Sequence, residues 1–145
     1  MRKSMATIYE RVEALEAAFA ELQAQIGTVD FSDSGWIDLA LSNGVLPYTT
    51  GNRPQYRKIG NKVYMKGAVK NALTAETVIG TLPEGFRPVR IGHSYVQNTT
   101  VSNNVANFVR LVVETNGEIK IQRISEGGSF GADKWFPINT EFLND

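Results

Sequence analysis

The chain contains no cysteine, which excludes disulfide frameworks, thiolate zinc sites and cysteine nucleophiles together. Its one histidine, His93, cannot build an imidazole metal site within a single copy, although three copies on a symmetry axis could. There is no excess of either charge. Fifteen basic and 15 acidic residues cancel, which removes the basic footprint of a general nucleic-acid binder. No apolar run approaches the roughly 18 residues that a membrane-spanning helix needs. The opening MRKSMATIYERVEALEAAF is broken by Glu10, Arg11, Glu13 and Glu16, unlike the apolar core of a secretory signal. The expectation is therefore a protein with no cofactor, no nucleic-acid partner and no membrane insertion.

What is present falls into two patterns. Over residues 5–26, Met5, Ile8, Val12, Leu15, Phe19, Leu22 and Ile26 recur at alternating spacings of three and four, with Ala, Glu, Gln and Arg between them. This narrow a/d seam predicts a coiled coil rather than the broader stripe of a helix packed on its own domain. Three heptads are marginal alone, so the helix needs partners. Phe and Met at a positions fit a trimer better than a tight dimer. Gly27 stands where a helix stop is expected. The organisation predicted is a trimerising stalk over 1–27, a connector over 28–34 and a head over 35–145.

From Gly35 the period changes to two. Strands are expected over 36–41, 55–59, 62–70, 77–82, 91–97, 107–114, 118–123 and 135–143. The links Gly60-Asn61 and Asn116-Gly117 read as hairpin turns. Residues 43–54, 98–104 and 125–133 read as loops. About eight short strands with no helix between them predict a mainly β head, an antiparallel β-sandwich or jelly-roll-like barrel.

The runs Trp36–Leu39, Leu41–Gly44, Pro54–Gly67 (PQYRKIGNKVYMKG) and Thr81–Pro88 (TLPEGFRP) resemble the C-terminal head domain of bacteriophage tail-fibre, baseplate and head-fibre proteins of Gram-positive hosts. The resemblance implies a homotrimeric β-sandwich head. Such heads bind host cell-surface saccharide, or cap a fibre, and attach to other tail, baseplate or fibre proteins of the virion. It implies no fixed set of binding residues. The motif residues themselves read as scaffold: Gly60-Asn61 as turn chemistry and Gly67 as a close backbone approach or a bulge. Recognition is expected in the loops.

A saccharide site sets an aromatic body beside amide, hydroxyl and charged groups. Two regions have that mixture: His93 and Tyr95 with Asn98, Asn103 and Asn104, and Asp133, Lys134 and Trp135 beside Phe130. Each reads equally as core aromatics next to an ordinary polar loop. Between Arg53 and Lys70 there are six basic residues and no acid, with Lys62, Tyr64, Lys66 and Lys70 on one face. That stretch would attract an anionic polymer such as teichoic acid, or form a solvated face neutralised by acids from elsewhere. No strand–turn–helix serine motif supports a nucleophile. Paired carboxylates among Glu114, Glu118, Glu126, Asp133 and Glu141 would be needed for glycoside cleavage. The reading is a non-enzymatic receptor-binding protein at a virion tail or fibre tip, attaching to host cell-wall polysaccharide or teichoic acid. The alternative is a structural cap or decoration protein.

Overall fold

The computed structural model describes residues 2–28 and 30–145, with side chains described over 7–27 and 30–145. The chain divides into two compact units, Met1–Phe31 and Ser32–Asp145. The first is a single helix, α1 (Arg2–Thr28), as its run of strong helix formers dictates. Ile8, Val12, Leu15, Phe19, Leu22 and Ile26 are all exposed along it, from 43% at Val12 to 69% at Leu15. Met5 lies outside the described side chains. No helix among the described residues is long and apolar enough to cross a membrane.

The second unit is mainly β, an antiparallel sandwich. Its strands are β1 (Ile37–Asp38), β2 (Leu46–Pro47), β3 (Gln55–Ile59), β4 (Lys62–Lys66), β5 (Ala68–Lys70), β6 (Thr77–Thr81), β7 (His93–Ser102), β8 (Val105–Val113), β9 (Glu118–Ile124), β10 (Phe136–Pro137) and β11 (Thr140–Leu143). They form three sheets in the orders β1-β3-β4-β11, β10-β5-β2 and β6-β9-β8-β7. Period-two patterning sends one face of each strand inward. Val63 and Met65, Val109, Leu111 and Val113, and Ile119 and Ile121 meet Ile79, Phe136, Ile138 and Phe142 in one core. Each large side chain fully buried there stabilises the fold by about 1.5–3 kcal/mol.

Five sequence expectations shift, one of them the loop expected over 43–54, which contains β2. The strand expected over 36–41 keeps only Ile37–Asp38; Leu39 is buried beyond it and Leu41 forms only an isolated bridge to Gly80. The strand expected over 62–70 breaks at Gly67 and continues in another sheet. Gly67 has φ +109°, and a Cβ there would lie 2.5 Å from the Arg53 carbonyl oxygen, so this is the close approach that the motif suggested. The last strand is likewise split, with β10 and β11 in different sheets.

The fifth shift concerns the loop expected over 98–104. Most of it is strand, since β-branched Thr99, Thr100 and Val101 extend β7 to Ser102. The turn is the pair Asn103 and Asn104, at φ 51° and 63°, a two-residue reversal of the kind that favours asparagine. At Asn116-Gly117 only the glycine has positive φ, and the Asn116 side chain accepts from the Glu118 N–H instead.

Candidate functional site

The inward-facing row of β7 is a polar seam. His93 Nε2 and Thr140 Oγ1 lie 2.9 Å apart, Tyr95 Oη donates to the Ile138 carbonyl at 3.1 Å, and Gln97 Nε2 donates to the Asn139 carbonyl at 2.6 Å. Thr99 Oγ1 donates to the Trp135 carbonyl, and the Trp135 N–H donates to Thr100 Oγ1 at 2.7 Å. The segment running through β10 into β11 is paired only in part by strands, so β7 side chains satisfy its remaining backbone groups. Buried Asn107 extends the seam, donating to the Thr100 carbonyl at 2.8 Å. His93 also packs against Tyr95 and Phe142, each ring centroid 5.4 Å away. Burial holds the His93 pKa below its ordinary value and pushes the Tyr95 hydroxyl well above its own.

The eight residues expected to bind saccharide are thus not brought into one pocket. His93 and Tyr95 are committed to the seam. Asn98 is exposed on the opposite face of β7, with Phe108 as its register partner. Asn103 and Asn104 form the exposed hairpin tip. Asp133 is exposed, and Lys134 and half-buried Trp135 follow it into β10, with Phe130 packed on Phe136.

Three of the six basic residues of this stretch pair with acids outside it. Arg53 pairs with Asp38 at 2.8 Å, Arg57 with Asp33, and Lys62 with Glu141 at 3.0 Å. Lys58 donates to the Gly85 carbonyl and to Asn144. The Arg57 hydrogen bonds, helped by the Gly35 N–H, lower the Asp33 pKa to about 2. Lys66 Nζ stands 4.1 Å from the centroid of the Trp36 ring, a cation–π contact on a half-open face. The stretch is thus paired in part, with Lys58 and Lys66 contacting neutral groups.

Three clefts are prominent among the described residues. One, of about 350 Å³, lies between the 88–93 segment and Phe142, Leu143 and Asp145, with His93 in its wall. A second, of about 290 Å³, is formed by Ser32, Asp33, Ser34, Lys58, Gly85 and Phe86. The third, of about 440 Å³, is lined by Asn43, Asn71, Leu73, Thr74, Glu76, Thr77 and Val78. Here Asn43 Nδ2 donates to the Val78 carbonyl and Asn71 Nδ2 to the Gly44 carbonyl, both at 2.8 Å. Thr77 Oγ1 donates to the Thr74 carbonyl at 2.6 Å. Sequence reading did not select these residues. The signals available were Asn43 before Gly44 and the segment NALTAET, which lacks alternation.

The architecture can be set beside known proteins. No curated protein sequence matches the chain. Among solved structures, it is similar to the crystal structure of the receptor binding protein of Listeria phage PSA, with a TM-score of 0.61 at 18% identity. That likeness covers 93% of this chain and 78% of the other, and at this identity it concerns the fold. The model of the YomR C-terminal beta sandwich domain matches residues 30–133, most of the chain and nearly all of the β unit, so the chain belongs to that family.

Proposed function

We propose that the chain is a phage receptor-binding protein whose head attaches a virion to saccharide on the surface of a Gram-positive host. The observation that carries this reading is the fold shared with a phage receptor binding protein over 93% of the chain, a span longer than the β unit alone. The exposed seam of α1 supports assembly into a homotrimeric coiled coil, because six large apolar side chains at a/d spacing are unstable in water without partners. Three heads on one stalk turn weak single sites into avid attachment. The mechanism is binding alone, without cofactor or catalysis, and the protein sits at a tail or fibre tip in contact with other tail or baseplate proteins.

The test is attachment of fluorescently labelled protein to a panel of Gram-positive cells, with free cell-wall polysaccharide as competitor. Saturable staining of particular strains, abolished by their own polysaccharide, is expected. Leu15→Asp, which places a charge in the seam, is expected to convert the protein to monomer in sedimentation and to weaken staining about tenfold or more through lost avidity. Absence of staining from trimeric protein on any strain would point instead to a structural fibre cap.

A further inference from the structure

Resting on the receptor-binding reading, we infer that the cleft of Asn43, Asn71, Leu73, Thr74, Glu76, Thr77 and Val78 is the saccharide site, and that it takes a neutral, hydroxyl-rich sugar rather than an anionic polymer. Its volume, about 440 Å³, falls in the range of roughly 300–1,000 Å³ typical of small-molecule sites.

The chemistry of the lining follows from its hydrogen bonds. Asn43 and Asn71 each commit one amide N–H to a backbone carbonyl, which fixes the side chain and leaves its amide oxygen and its second N–H as hydrogen-bonding capacity at the cleft. Glu76 adds a carboxylate, and the lining contains no cation. Mixed amide donors and acceptors suit the hydroxyls of a sugar, and the Glu76 carboxylate, with no cation beside it, repels a phosphate. Leu73, 59% exposed, and half-buried Val78 offer apolar surface to a sugar's C–H face.

The backbone gives an independent reason to single out this place. Among the described residues, five other than glycine adopt positive φ, and three of them line this cleft: Asn43 at 58°, Asn71 at 61° and Glu76 at 63°. Asparagine tolerates that region, but glutamate gains nothing from it. The Glu76 N–H donates to the Ile121 carbonyl at 2.8 Å, which holds the strained turn against β9. A glycine would serve the fold better at position 76. Strain kept at the residue that supplies the cleft's carboxylate is the mark of a functional group.

The experiment uses the full chain on a panel of purified Gram-positive wall polysaccharides and glycerol- and ribitol-phosphate teichoic acids. Wild-type protein should bind at least one neutral polysaccharide. Glu76→Gly and Leu73→Arg should each weaken that binding by about tenfold or more, while Trp36→Ala, on the face that carries Lys66, stays within about twofold. Glu76→Gly should melt no lower than wild type, so a loss of binding cannot be ascribed to unfolding. Wild-type binding that neither variant weakens would overturn the cleft and leave the receptor-binding reading standing. Binding confined to teichoic acids would overturn the neutral-sugar assignment. No binding to any member of a panel that includes strains the protein stains would overturn the cleft as a saccharide site, and no binding together with no staining would overturn both readings.

Discussion

The polar row inside β7 and the cleft around Glu76 are built from similar residue types but face opposite tasks. In the seam, His93, Tyr95, Gln97 and Thr99 each meet a partner on the 135–140 segment, and Asn107 is 1% exposed. In the cleft, Asn43 and Asn71 are tethered by one end only, and Glu76 holds a positive φ in a turn tied to β9 through its N–H, a conformation its side chain does not favour. Hydrogen-bonding capacity directed inward closes a fold, whereas capacity left over at a fixed, strained surface is available to a ligand. Residue type alone does not separate the two.

Substitutions can break or sharpen that contrast. The largest effect is expected at Asn107. Asn107→Ala leaves the Thr100 carbonyl without its donor and opens a gap beneath Ser125, and should cost about 2–3 kcal/mol. Denaturant unfolding would measure it, and saccharide binding by the folded fraction should be unchanged. Tyr95→Phe removes one buried donor from the Ile138 carbonyl and should cost about 1 kcal/mol by the same measurement.

A smaller effect concerns pH. Burial lowers the His93 pKa in the folded state, so the unfolded chain binds the proton first as pH falls. Stability should therefore be full above the ordinary histidine pKa and decline as pH drops from about 6.5 towards the lower folded-state pKa. His93→Gln should flatten that part of the profile in thermal melts at stepped pH. Smallest of all is the stability change at Glu76→Gly. Relief of the left-handed strain, about 1 kcal/mol, offsets the greater freedom of glycine in the unfolded chain, and the melting point should stay level or rise slightly.

Much of the fold was legible because its causes are local. The a/d spacing from Ile8 to Ile26 specifies the helix and its apolar edge. The alternation in QYRKI, KVYMK and EIKIQ specifies half-buried strands, and β3 matches its expected bounds. The missed features have causes distant in sequence. The break at Gly67 exists because Arg53 and Pro54 cross over it. The row of β7 left two readings open, a site or core aromatics beside a polar loop, for a similar reason. Its inward side chains are His, Tyr, Gln and Thr, while Val96 faces out at 59% exposure, so the usual sense of the alternation is inverted. Donors point inward because the 135–140 backbone needs them, and no property of residues 93–99 reveals that. The cleft was invisible for the same reason, since it joins a turn at Asn43 to a connection at 71–77 through carbonyls of other segments.

The most direct test of the contrast is a paired measurement of melting temperature and attachment to stained Gram-positive cells for Asn107→Ala and Glu76→Gly. The account predicts that Asn107→Ala melts roughly 10 °C lower yet still attaches below its transition, while Glu76→Gly melts like wild type and loses attachment. Wild-type attachment by Glu76→Gly, with a normal melt, would contradict it.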